Sequence, residues 1–212
     1  MELYVDGFRS NGKQLVQLIM RKIIAYNFIT LDGFYKGADG DISWHKHGEE
    51  ENRFAVESMK QGNILLFGRL TYEMMAGYWP TALAIENDPV VAMAMNSAEK
   101  IVFTNTLEAA EWNNTTIVNG NILEKIKKLK HSKGKDLTIL GSGSIVSLFT
   151  DAGLIDEYQV MLHPVALGNG TPIFSGVKKK IDLKLIDSRT FGSGAVLLSY
   201  VPVSYVPAAQ DI

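Results

Sequence analysis

Apolar positions recur along this chain with two periods. Short, nearly continuous apolar runs read as strands over residues 23–31 (IIAYNFITL), 63–68 (NILLFG), 100–104 (KIVFT), 115–118 and 137–140. Three more follow over 157–163, 183–186 and 195–201. Between the first five lie stretches with helical spacing. Residues 49–61 place Phe54, Val56 and Met59 on an apolar stripe, and Thr71 can cap a helix that carries Met74 and Met75. A short helix is predicted over 90–97. Asn121 and Glu124 have capping-box spacing before a helix with Ile122, Ile126 and Leu129, predicted to run to Gly134. A last helix carries Ile145, Leu148 and Phe149. The stretch 80–89, bounded by prolines, reads as irregular.

Strand and helix alternate over the first two-thirds, and the last third holds strands without helices. That order predicts an α/β fold with a largely parallel sheet, helices on both faces, and an antiparallel hairpin at one edge. Residues 1–20 differ in character. Turn signals (Asp6-Gly7, Asn11-Gly12) and weak periodicity suggest an extension, with a packing arm as the competing reading. The expected organisation is therefore an extension over 1–20, one domain over 21–203, and a tail over 204–212.

Composition narrows the function. The 212 residues include 21 basic and 23 acidic side chains, a net charge of −2 that argues against nucleic acid or an anionic membrane as partner. There is no cysteine, so disulfides, thiolate nucleophiles and cysteine-ligated zinc are excluded. His45 and His47 have no third ligand in sequence reach, and no metal site is expected. No apolar run approaches the roughly 20 residues of a spanning helix. A cytoplasmic location is the expectation.

Three strand ends carry candidate chemistry. In LTILGSGSIVSLF (137–149) a buried strand enters a glycine turn that opens a helix. Gly141 and Gly143 permit close backbone approach, and amides at a helix start favour an anion such as a pyrophosphate. Val146 stands where a dinucleotide fingerprint needs its third glycine. The alternative is a plain tight turn. In LLFGRLTYEMM (65–75), Arg69 follows a strand's carboxyl end, where a guanidinium suits a phosphate or is simply a surface charge. In IVFTNT (101–106), Thr104 and Asn105 can hydrogen-bond a phosphate or ribose.

Thr30-Leu31-Asp32-Gly33, Gly68-Arg69 with Thr71 and Glu73, Ile101 to Asn105, Gly141-Ser142-Gly143 and PVALGNGTPIF (164–174) occur in an order that resembles the dihydrofolate reductase superfamily. Within it, the chain is most similar to the branch holding the reductase domain of the riboflavin-biosynthesis deaminase/reductase and its stand-alone relatives. The resemblance covers roughly 21–203. It implies a three-layer sandwich around an eight-stranded sheet, NADPH as cofactor, a small-molecule substrate and a homodimer. It implies that Arg69, Thr71 and Ser144 lie near the adenosine phosphate. Thr104 and Asn105 would lie near the adenine ribose, and Gly141, Ser142, Gly143, Ser144 and Ile145 would hold the pyrophosphate.

The same resemblance assigns the substrate side. Asp32 ends the first strand, and the run Glu49 to Asn52 opens the next helix, where family members hold a pterin ring with an acid. The register falls on Asn52, or on Glu51 if it slips by one. Asp32 and Glu51 are therefore the catalytic candidates, and Trp44, Asn52 and Phe28 the substrate-binding ones. Asp32 also reads as an Asp-Gly turn, the acidic run as a favourable charge cluster at a helix start, and Trp44 as a loop aromatic.

Folate-reducing members hold a glutamate tail with an Arg before the third strand; from Gly77 to Phe103 there is none, and Lys100 lacks the planar fork. The HxE…PCxxC deaminase pattern is absent. The expected activity is reduction of a pterin or pyrimidine intermediate, most like 5-amino-6-(5-phosphoribosylamino)uracil. Dihydrofolate reduction and a non-catalytic nucleotide-binding protein are the rivals. Gly168-Asn169-Gly170 reads as a turn that also suits a loop closing over substrate.

Overall fold

The eight expected strands all form, and all belong to one sheet in the order β5-β4-β3-β6-β1-β7-β10-β9. They are β1 (Ile23–Thr30), β3 (Ile64–Gly68), β4 (Lys100–Phe103), β5 (Thr115–Val118), β6 (Leu137–Leu140), β7 (Glu157–His163), β9 (Leu183–Thr190) and β10 (Val196–Pro202). Every pairing is parallel except those of β10 with β7 and β9. The computed structural model describes residues 20–46 and 48–203. The expected extension through residue 19, the tail from 204 and His47 fall outside the described residues.

Strand alternation sorts the side chains into two faces. Ile23 and Ala25 of β1, Ile64 and Leu66 of β3, and Leu137 and Ile139 of β6 meet α5 (Ile122–Lys130) and α6 (Gly143–Asp151) in one apolar cluster. Six of the nine α6 residues are buried. The opposite face carries α1 (Glu49–Met59), α2 (Arg69–Tyr78) and α4 (Pro89–Ser97). Its core is split. Leu65, Phe67, Tyr72, Met95, Val102 and Trp112 form one cluster; Met161, Phe191, Ala195 and Leu197 form another, with Tyr26, Phe28 and Phe54 packed against it. The result is an α/β three-layer sandwich.

Three local features depart from expectation. Residues 80–89 contain a helix, α3 (Ala82–Asn87), whose start is capped by the Thr81 hydroxyl accepting from the Ala84 amide. The α5 helix ends at Lys130 rather than Gly134. Residues 34–37, outside every expected strand, form β2 (Phe34–Gly37), which pairs with β8 (Gly170–Pro172), starting at the last residue of the expected turn, in a separate two-stranded sheet. These are four- and three-residue strands, too short to show a period in sequence. Among the described residues no helix is long and apolar enough to cross a membrane.

Candidate active site

A cleft of about 2210 Å³ runs across the split face of the sheet, from Asn63 and Lys135 before β3 and β6 to Gly68 and Gly141 at their carboxyl ends. Ile24, Tyr26 and Phe28 of β1, Leu65 of β3, Thr138 and Leu140 of β6, and Gln159 of β7 line it from the sheet. It lies at the place where strand order doubles back, the usual ligand position in open α/β sheets.

One arm is built on the two glycine turns. Ser142 is buried and left-handed, with φ of 65°, and its hydroxyl accepts from the Gly68 amide at 2.8 Å. That bond joins the β3–α2 turn to the β6–α6 turn across 74 residues of sequence. Gly141 also has positive φ, which glycine adopts without penalty, and a Cβ there would crowd Thr71. Among the described residues the amides of Ser142, Gly143 and Ser144 make no hydrogen bond. Arg69, Thr71, Gly141, Ser142, Gly143 and Ser144 all line the cleft. The Arg69 guanidinium holds Glu73 one helical turn away, through one nitrogen to both carboxylate oxygens at 2.9 and 2.8 Å. Both side chains are about two-fifths exposed, so this pair is weak and open to an incoming anion.

The other arm centres on Glu51, which is 3% exposed and lines the cleft near the start of α1. One of its oxygens accepts from the Gly48 amide at 3.0 Å, and the other accepts from the Ser193 hydroxyl. A Cβ at position 48 would stand 2.7 Å from that first oxygen, so glycine there lets the carboxylate fold back on its own helix. Burial, and then the Glu51 charge, pushes the Tyr26 phenol far above its ordinary value. Tyr26 therefore remains an O–H donor at any physiological pH. Asn52 also lines the cleft, and its amide donates to Asp88 at 2.9 Å, tying α1 to the start of α4. The register thus puts both expected residues in the cleft, Glu51 buried and Asn52 as a brace.

The remaining expected residues divide. Phe28 lines the cleft, but Trp44 does not; it is buried against His45 and His163. Asp32 lies outside the cleft wall. Its carboxylate accepts from the Thr30 hydroxyl at 2.5 Å and from the amides of Leu167 and Gly168 at 3.0 and 2.7 Å. Those bonds, the Thr30 hydroxyl first, hold its carboxyl below the usual carboxylate range. The side chain expected to handle a proton instead ties down the loop before β8. Thr104 and Asn105 stand apart as well. The Thr104 hydroxyl accepts from the amides of Thr106 and Leu107, and Asn105 accepts from the Gly120 amide. Ile145 is packed in the opposite core.

Sequence reasoning missed Tyr26, Tyr35 and the β2–β8 sheet. Tyr26 could have been found, since it shares a strand face with Phe28. Tyr35 could not. Its ring lies where a Cβ on Gly143 would go, within 2.9 Å, so β2 and β8 fold over the glycine turn. Lys36, Gly170 and Thr171 of that small sheet line the cleft beside it.

The RibD C-terminal domain model matches residues 21–197. The uncharacterized protein YyaP of Bacillus subtilis (strain 168) is 34% identical over 183 residues, which span 86% of this chain and 96% of that one. Two solved structures share the fold. One is a protein of Shewanella sp. PV-4 proposed to act in riboflavin biosynthesis, with a TM-score of 0.66 and 21% identity over 85% of this chain and 98% of that one. The other is the dihydrofolate reductase of Enterococcus faecalis complexed with NADP(H), with a TM-score of 0.58 and 18% identity over 86% and 96%. Matched over most of its length by that model and by a relative at this identity, the chain belongs to the RibD C-terminal domain family.

Proposed function

We propose that the protein is an NADPH-dependent reductase that acts on a planar ring of pterin or pyrimidine type. The observation that carries this reading is the pair of glycine turns locked by Ser142 beside a cleft whose other end holds a buried carboxylate. The residues present fit the cofactor. Among the described residues the Ser142, Gly143 and Ser144 amides have no hydrogen-bond acceptor, the left-handed backbone at 141–142 forms a concavity, and Arg69 stands at its rim. NADPH held there would supply the hydride.

The chain's own residues do the rest. Arg69 exchanges its exposed pair with Glu73 for a phosphate, which a guanidinium can grip with two parallel hydrogen bonds. Glu51 accepts from ring N–H groups of the substrate and holds the ring's edge, and Tyr26 stands beside it as a fixed donor. Burial makes this carboxylate a strong acceptor, because little water competes for it. The β2–β8 sheet covers the glycine turn and reduces access of water.

Titration with NADPH, followed by tryptophan and nicotinamide fluorescence, tests the reading. Saturable binding in the micromolar range is expected, and no binding at millimolar NADPH would sink it. Arg69→Ala should weaken NADPH by about tenfold and NADH much less; equal weakening would remove Arg69 from phosphate recognition. Loss of absorbance at 340 nm across a panel of pterins and pyrimidines then identifies the acceptor.

A further inference from the structure

We propose that, beyond the ring edge held by Glu51, the substrate arm of the cleft takes an uncharged, apolar part of the substrate, and not a phosphate or carboxylate tail. The proposal rests on the reading above only in placing the cofactor at the glycine turns, which leaves the groove between α1, α2 and α4 to the substrate.

Helices α2 and α4 each have two apolar faces. On α2, Tyr72, Met75 and Ala76 pack into the core, and on α4 Val91 and Met95 do so. That face accounts for their folding. The second face is spaced by helical turns: Leu70, Met74 and Tyr78 on α2, Val90 and Met93 on α4. These five are 66, 41, 36, 51 and 67% exposed, and all line the cleft. A surface helix ordinarily turns polar residues to water on its second face. Exposed apolar side chains from two helices lining one concave site mark a ligand surface. Ala55, Val56 and Met59 of α1 add further apolar surface to the cleft lining.

Charge agrees with this. From Leu70 to Glu99 there is no lysine or arginine, while Glu73, Glu86, Asp88 and Glu99 are acidic. Asp88 and Glu51 line the arm. An anionic tail lying there would meet negative charge and apolar surface with no cation from residues 70–99 to compensate its desolvation. The cations that line the cleft belong to other segments: Lys36 to β2, Arg69 to the first residue of α2, Lys60 and Lys135 to the loops after α1 and before β6. Of these, Arg69 is paired with Glu73 and Lys135 with Glu99. Unbranched, polarizable Met74 and Met93 adapt to varied apolar shapes.

A matched pair of probes tests the proposal: 2-methyl-1,4-naphthoquinone, which is neutral, and 1,4-naphthoquinone-2-sulfonate, which carries an anion on the same ring system. Binding to the full chain is read by saturable quenching of tryptophan fluorescence, with NADPH titrated separately. The neutral quinone should bind at least about tenfold more tightly. Met93→Lys should shrink that preference by about fivefold or more, chiefly by tightening the sulfonate. Met74→Lys, on the other helix, should act in the same direction and guards against a folding defect in one variant. Equal or reversed affinities for the two probes overturn the proposal, as do substitutions that leave both affinities unchanged.

If neither probe binds, the proposal fails, and NADPH binding then shows whether the reductase reading survives. If both probes behave as expected and NADPH does not bind, the cofactor reading falls and the selectivity of the groove stands. Light scattering closes the remaining route. A wild-type dimer that Met93→Lys splits, with probe binding unchanged, would make this face a subunit interface and overturn the proposal.

Discussion

The two faces of the central sheet are built from similar strands and serve opposite ends. Against one, α5 and α6 press a single continuous core that includes Ile139, Val146 and Phe149, all fully buried. Against the other, two smaller clusters stand apart, and the cleft runs over Ile24, Thr138 and the edge of the first cluster at Leu65 and Leu140. The helices show the same difference. Most of α6 is buried, whereas Glu51 is the one buried residue of α1. The lesson is that stability is concentrated on one face so that the other can hold helices away from the sheet around a chamber. Packed interiors tolerate few voids, so a chamber of this size requires a well-filled core elsewhere.

Four experiments break or sharpen that contrast. The largest effect is expected from Phe149→Ala, which should cost about 3–5 kcal/mol in denaturant unfolding because the cavity cannot collapse. Met74→Ala, on the cleft face, should cost less than about 1 kcal/mol, as partly exposed side chains do. Similar losses for the two would erase the contrast. Next comes Glu51→Gln, expected to lower kcat/KM by about a hundredfold or more if the carboxylate holds and polarises the substrate ring. NADPH affinity should stay within about twofold. A variant with full turnover would remove Glu51 from the site.

Ser142→Ala is third. It leaves the buried Gly68 amide without its acceptor, which should cost about 1–3 kcal/mol and weaken NADPH, since both glycine turns lose their common tie. Unaltered cofactor affinity would show that the turns are held independently.

Asp32→Asn should be the mildest. The native Asp32 carboxyl titrates below its ordinary 3.8. A depressed folded value means that its contribution is complete above the unfolded value and is lost as pH falls through the folded one. At neutral pH the substitution removes the charge that strengthens all three hydrogen bonds to this side chain. The amides of Leu167 and Gly168 should then exchange faster with solvent while global stability barely moves. Unchanged exchange would show that the loop is held by other contacts.

Much of this architecture was legible in the residues. The eight sheet strands were visible because each is a compact apolar run between turn residues, and the glycine turns at 68 and 141–143 stood out because strand and helix signals meet there. The short pieces were not legible. Residues 34–37 and 170–172 form strands only because each finds the other, and 82–87 is a helix between prolines held by the Thr81 cap. The surroundings of Asp32 and Trp44 were not legible for a related reason. An Asp-Gly turn after a strand has the same sequence whether its carboxylate faces a ligand or, as here, the amides of a loop more than 130 residues later. Thr104 and Asn105 end their strand with polar groups as expected, and those groups satisfy the backbone beyond it.

By itself the sequence determined the order and type of the elements, the absence of thiol chemistry, the two glycine turns, and the lack of any cation between Leu70 and Glu99. Those depend on local spacing and composition. Only the tertiary structure decided which apolar side chains fill a core and which line a cleft. Tyr72 and Met74 lie two residues apart on one helix, yet the first is buried in the core against the sheet and the second lines the cleft. Periodicity says that a helix has an apolar stripe. What that stripe meets is set by strands and helices distant in the chain, and the hydrophobic effect, which has no direction of its own, leaves that choice to packing.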